Sequence, residues 1–578
     1  MNPEKSRLKL IITVLLIGIF LFLNFSWKGW AQGKKKTVSP AAPVKDFYQE
    51  TLASVPANLL TVAESSQFTA TSLYQDVLNF IAELKKISPY LVVENIGQTA
   101  EGRYIPMLIL SNPPVYTPQS ARQLKKTVVY IQANIHAGEV EGKEASLMLA
   151  REILLNPGHP YLNNLVILIV PNLNADGNER ISPDNRRQQP GPEKGVGTRQ
   201  NALNQDLNRD AIKLESPEMT AVVKRILNRW DPALVVDCHT TDGAYHLETV
   251  TYSWPVNPNS DPQLLSYQRE TMLPAIVKTL KERYQTLAVP YGMFRDWRDP
   301  AKGWETFEPQ PRYFTNYAGI RNRLSILDEN YVHADFRTRV ISCYYFLKAI
   351  LDYCSQNALP VQHLVEEADR RTILRGLTPQ GQNFAVEFDL KALPNPITVN
   401  AYELEVIERP GGGFPQLRPT DRLKPVTVPY FADYQPKRTV GLPFAYLISV
   451  PDPNVKEKLL AHGLLVESLT EEISLEVEVF LPKEFKSADR PFQGHRLNQI
   501  KGEYKTETRK FRPGTLLVKT AQPLGYLAAY LLEPESDDGL VVWNFFDRYL
   551  VGQWQRGLSE LPVYRLLKPA NLPALKLD

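Results

Sequence analysis

Cysteine is the first thing this chain lacks. Cys238, Cys343 and Cys354 are the whole complement of 578 residues, and an odd, sparse count excludes a disulfide framework, though not a single bridge. Net charge is nearly absent as well. The 66 Lys+Arg residues against 63 Asp+Glu leave a formal charge of +3. No basic block is interleaved with aromatics, so the electrostatic footprint of a nucleic-acid binder is missing. What is present is ordinary: 43% hydrophobic and 22% charged residues, the balance of a soluble globular protein. The length exceeds what one hydrophobic core holds and predicts two or three domains.

The N-terminus carries an address. Lys5, Arg7 and Lys9 precede an apolar run from Leu10 to Phe25, and Gly29-Trp30-Ala31-Gln32 supplies a small-x-small cleavage site after Ala31. Residues 1–31 therefore read as a signal peptide. The alternative is an uncleaved anchor through residues 8–25, because that run reaches the lower limit for a span. Either way the body is expected to be exported, secreted or periplasmic, or held at the membrane. Residues 32–60 read as a linker, polar and Pro/Ala-bearing at its start.

The rest is organised around Ile135-His136-Ala137-Gly138-Glu139-Val140-Glu141-Gly142. Before it lies the apolar run Thr127–Ile135, the pattern of a buried parallel strand. After it, the periodicity from Lys143 to Leu155 predicts a helix. His136 and Glu139 thus fall in a loop at the carboxyl end of a central strand, where open α/β sheets bind their ligands. Both are ordinary zinc ligands, and a catalytic zinc takes three protein ligands and a water. Two further strands end on chemistry-bearing residues. Ala233–Cys238 is followed by His239, and Leu324–Asp328 ends on Glu329. Strand ends of a doubly wound sheet lie along one edge and converge. A long polar loop from Asn178 to Asp210 separates these runs and contains Asp206-Leu207-Asn208-Arg209. Cys238 beside His239 reads as a small core filler. His246 and His333 are substitute ligands ranked below His239.

Taken together, His136-x-x-Glu139, Asp206-Leu207-Asn208-Arg209, His239 after a strand and Glu329 after a later one resemble the zinc metallocarboxypeptidases of the carboxypeptidase A and B type. The resemblance covers about Leu73 to Leu359. It implies a mixed, mostly parallel sheet with helices on both faces, and one zinc ion per chain held by His136, Glu139 and His239. It implies Glu329 as general base and Asn208 and Arg209 as the grip on a substrate's terminal carboxylate. Asp206 becomes the carboxylate that orients the first histidine. Arg186, with Arg187 next to it, is the candidate for steadying the oxyanion, and Tyr313 and Tyr317 are the candidates for the family's substrate-facing tyrosine. The implied substrates are peptide or protein C-termini.

On this reading residues 61–378 are the catalytic domain and 379–578 an α/β or β-rich accessory domain. The latter holds strand-like and helical runs, a Pro/Gly-rich passage from Arg409 to Pro429, and no catalytic constellation. Two other functions stay open: an envelope peptidoglycan-peptide or amide hydrolase with the same zinc site, and an inactive relative whose cleft only binds peptides. The intact Glu329 argues against the second.

Overall fold

The computed structural model describes residues 47–241, 243–407, 416–551 and 557–577. The expected signal or anchor segment and most of the linker lie outside the described residues. Among those described, no helix is long and apolar enough to cross a membrane.

The apolar runs of the first half become strands of one sheet. They are β1 (Leu91–Gln98), β2 (Tyr104–Leu110), β3 (Thr127–Ala133), β4 (Leu165–Val170), β5 (Leu234–Thr241), β6 (Val250–Ser253) and β7 (Ala288–Pro290). After two short strands, β8 (Met293–Phe294) and β9 (Trp304–Glu305), comes β10 (Leu324–Tyr331). Eight strands assemble in the order β1-β2-β4-β3-β5-β10-β6-β7. The central run β4-β3-β5-β10 is parallel. The β1–β2 hairpin joins it antiparallel on one side and β6 on the other. The sheet is therefore mixed, with a parallel centre and helices on both faces.

Alternate residues of each central strand feed different cores, as the two-residue period of a strand requires. Val129, Ile131, Leu165, Ile167, Leu234 and Val236 pack with the helices Glu141–Leu155, Leu273–Tyr284 and Phe336–Gln356. Val128, Tyr130, Val166, Leu168 and Val235 pack with the Pro217–Leu227 helical segment, the helix Phe314–Ile320 and a large part of the C-terminal region, including Tyr446, Leu527, Tyr530 and Trp543. Residues after 378 thus complete the second face of the central sheet.

The C-terminal region is β-rich and antiparallel. It comprises β11 (Asn383–Ala392), β12 (Ile397–Ile407), β13 (Gln416–Val428), β14 (Tyr430–Gly441), β15 (Ala445–Ile448), β16 (Glu467–Leu469), β17 (Ile473–Ser487), β18 (Asn498–Phe511), β19 (Leu516–Lys519), β20 (Val563–Leu566) and β21 (Ala574–Lys576). Seven of them form a sheet in the order β18-β17-β20-β15-β19-β16-β21. Another sheet, β11-β14-β9-β8, borrows its last two strands from the first half, with Tyr430 and Phe431 paired to Trp304 and Glu305. The described residues of both regions form one compact unit. The Pro/Gly-rich passage is not all loop, because its residues 416–428 are strand β13. Pro419 and Pro425 are tolerated there because, among the described residues, β13 pairs only with β12.

Candidate metal centre

The chain leaves β3 through Asn134, whose φ of 61° turns it sharply, and a tight turn closes with Glu139 N–H donating to the His136 carbonyl at 2.9 Å. Two glycines make room. A Cβ on Gly138 would lie 2.7 Å from Arg186 Cδ, and one on Gly142 would lie 2.4 Å from Cys238 Cβ, so the helix that starts at Glu141 presses directly on β5. His239 and Glu329 stand inside their strands rather than after them. Strands β5 and β10 run on in parallel register through the His239–Glu329 pair, each supplying the other's backbone partners beyond the apolar run. Both side chains therefore emerge on the same face of neighbouring strands. Glu329 is half-buried while His239 is buried.

His136, Glu139 and His239 come together, with one donor atom from each lying within 4.8 Å of the others. The two Nδ1 atoms are 3.3 Å apart. Glu139 Oε1 lies 3.1 Å from His136 Nδ1, and Oε2 lies 2.9 Å from His239 Nδ1. Each ring's far nitrogen meets a carboxylate: His136 Nε2 is 3.0 Å from Asp206 Oδ1, and His239 Nε2 is 2.8 Å from Asp237 Oδ2. This arrangement leaves both Nδ1 atoms aimed at one point beside a carboxylate, the donor set and outer support of a catalytic zinc. The residues fit the metal that the sequence implies.

The surrounding charges are consistent with that use. Burial alone would raise the Glu139 carboxyl, but the charges of His136 and Arg186 outweigh it and hold it well below the usual carboxylate range. Burial likewise opposes ionisation of Asp206, and Arg199, His136 and Arg209 overcome it. His239 is pushed up against its own desolvation by Asp237, Glu139 and Glu329.

Most of the residues singled out from the sequence border this cluster. Asp206 caps a short turn, Leu207–Arg209, by accepting from Asn208 N–H at 3.0 Å. Asn208 Nδ2 lies 3.4 Å from His239 Nε2, and its Oδ1 accepts from Phe314 N–H at 2.9 Å. The Arg209 guanidinium lies over the Tyr313 ring at 4.2 Å. Arg186 donates to Glu139 Oε1 at 2.9 Å, to Gln189 Oε1 at 2.8 Å and to the Thr240 carbonyl at 2.8 Å. Tyr317 is the exception. Its side chain is fully buried, and its hydroxyl lies 2.6 Å from His462 Nδ1 in the C-terminal region, so it cannot meet a substrate. Helix Phe314–Ile320 turns that face into the second core, leaving Tyr313 at the helix start on the Arg209 side.

Two residues were missed from the sequence. Asp237 lies two positions before His239 on the same strand, so alternation puts it on the same face and the pattern could have found it. Arg199 lies in the long loop, donates from Nε to Asp206 Oδ2 at 2.8 Å, and brings Nη1 to 3.7 Å from Glu139 Oε1. On the opposite face of β5 and β10, Cys238, Asp328 and Cys343 gather in the core, and Cys343 Sγ donates to Asp328 Oδ2 at 3.1 Å. Burial pushes the Asp328 carboxyl up to about 7. Cys238 packs there against the helix start at Gly142, the filler role expected of it.

Residues 77–303 match the sequence profile of the zinc carboxypeptidase family. Human carboxypeptidase D is 30% identical over 202 residues, which are 34% of this chain and 14% of that protein. The chain thus spans only a small fraction of that relative. Carboxypeptidase 2 of Trichophyton rubrum is 23% identical over 507 residues, 81% of this chain and 84% of that one. Among solved structures, a metallo-carboxypeptidase from Burkholderia cenocepacia aligns with a TM-score of 0.36 at 21% identity, covering 49% of this chain and 69% of that one.

Proposed function

We propose that the chain, whose residues 77–303 match the zinc carboxypeptidase family, is a zinc-dependent metallocarboxypeptidase that shortens peptides from their C-terminal end. The observation that carries this reading is the convergence of His136 Nδ1, His239 Nδ1 and Glu139, with a carboxylate behind each imidazole. A zinc ion held by those three residues supplies Lewis acidity toward the scissile carbonyl and an acidified water. Glu329, on the strand beside His239, removes the proton of the attacking water and delivers it to the leaving amine. Negative charge grows on the carbonyl oxygen as the water attacks, and a guanidinium beside it lowers that barrier. We assign this to Arg199, whose side chain is 35% exposed, over Arg186, whose side chain is 13% exposed.

Asn208 and Arg209 hold the terminal carboxylate, for which a planar guanidinium is suited. The Tyr313 ring keeps Arg209 in place from below. The charged-then-apolar N-terminal segment puts the reaction outside the cytoplasm, in the secreted, periplasmic or membrane-anchored forms of the chain. The test is a peptide ladder assay with the zinc-loaded protein. A peptide with a free C-terminus is expected to shorten one residue at a time, and the same peptide amidated at its end is expected to resist. Internal cleavage, or equal turnover of both peptides, would overturn the carboxypeptidase reading.

A further inference from the structure

The loop between β17 and β18 carries a tight turn at its tip. Phe492 and His495 pair through two backbone hydrogen bonds of 2.7 and 3.0 Å, and the residues between them, Gln493 and Gly494, have φ values of 50° and 84°. Two successive left-handed residues make a type I′ turn, whose first central position favours Asn, Asp or Gly. Glutamine there works against the backbone. Its side chain shows what it does instead: Gln493 Oε1 accepts from the backbone N–H of Asp206 at 2.8 Å, across 287 residues of sequence.

Asp206 is the residue that holds His136 and opens the turn carrying Asn208 and Arg209. The hairpin tip is itself pinned on both sides of that turn. His495 Nε2 lies 2.9 Å from Glu215 Oε1, and His495 Nδ1 lies 3.0 Å from Asn544 Oδ1. Phe492 faces the Arg312 guanidinium at 5.5 Å, and Arg312 Nε donates to the buried Asp538 at 2.9 Å. Arg312 directly precedes Tyr313, whose ring supports Arg209. The C-terminal region therefore grasps the Asp206–Arg209 turn and the Arg312–Tyr313 segment at once.

We propose that Gln493 is a positioning residue for substrate: by fixing the backbone of Asp206 it sets the Asn208–Arg209 grip on the carboxylate of a peptide's C-terminal residue. The proposal rests on the carboxypeptidase reading. Removing Gln493 frees only the backbone N–H of Asp206, whose carboxylate keeps its contacts to His136 and Arg199, so the signature is in KM rather than in kcat.

The variants are Gln493→Gly and Gln493→Asn, both of which suit the left-handed turn and neither of which reaches Asp206. Both are made in the full-length, zinc-loaded protein. A purely structural role predicts that these variants change thermal stability alone, with unchanged kinetics. Positioning predicts a KM for a free-acid tripeptide raised roughly three- to tenfold, the worth of one net hydrogen bond, with kcat within twofold and one zinc retained. A KM within twofold of the parent in both variants would overturn the proposal, as would equal losses in kcat and zinc. Calorimetric titration of the same tripeptide into Glu329→Gln, with and without Gln493→Gly, separates this claim from the peptidase reading. If the parent hydrolyses no peptide but Gln493→Gly still weakens tripeptide binding, the peptidase reading fails and the positioning role stands. If the tripeptide binds Glu329→Gln and Gln493→Gly does not weaken it, or if it does not bind at all, the positioning role fails.

Discussion

The central sheet and the C-terminal hairpins solve the same problem, presenting polar groups at one point, in opposite ways. In the sheet, strands buried on both faces end together, and the residues at their carboxyl ends face each other because parallel register leaves them no alternative. In the C-terminal region a long antiparallel pair, β17 and β18, is wet on one side and delivers a single side chain at the tip of its connecting loop. The first arrangement builds a site from residues far apart in sequence with little freedom to move. The second reaches that site from outside and trims its geometry.

The comparison breaks most completely if the two regions come apart. The second core joins Val128, Tyr130 and Leu168 of the sheet to Tyr446, Tyr530 and Trp543 after residue 378. Ending the chain at Thr378 exposes that face, and the expected product is insoluble or molten, read by loss of a cooperative thermal transition. A soluble, active product would show that the regions are separate domains. Next in size is Glu329→Gln, expected to lower kcat by about a thousandfold, within the usual reach of a general base, while zinc content stays at the parent level. Smaller again is Asp237→Asn, which deprives His239 of its carboxylate and is expected to weaken zinc affinity roughly 10- to 100-fold in a competition titration.

The smallest effect concerns the hairpin's anchor. Burial would raise Glu215, but its bonds to His495 and Lys213 prevail and bring it down to about 2. The bond to Glu215 raises His495. A lowered acid contributes stability above its ordinary value of 4.5 and loses it as pH falls toward 2. A raised histidine contributes below its ordinary value of 6.5 and loses it as pH rises through its new one. The anchor is thus strongest between those two ordinary values. Glu215→Gln is expected to flatten the thermal stability profile at both ends, by no more than about 1 kcal/mol because the pair is partly solvated. An unchanged profile would mean that the pair holds nothing in place.

The same contrast explains what could be read before the structure. Strands β3, β4, β5 and β10 are built on short, mostly apolar runs, and the residues where those runs stop were visible as a set. His136, Glu139, His239 and Glu329 needed no contact information beyond that. Strand β18 hid because its sequence, Asn498–Phe511, is mostly polar and only Asn498, Ile500 and Phe511 are buried. Tyr317 was a candidate through the resemblance alone, short of the family's spacing before the base, and a resemblance does not say which way a helix turns: its face went to the core and to His462. Arg199 lay in a loop without periodicity, so nothing local marked it apart from Arg186. Gln493 had no local signal at all, since its partner is 287 residues away.

The central claim is that two imidazoles and one carboxylate share a single ion. It is tested most directly by elemental analysis of the purified protein beside its His239→Ala variant. One zinc per chain in the parent, lost in the variant together with release of C-terminal residues, is the predicted result. A parent without stoichiometric metal, or a variant that keeps it, would contradict the account.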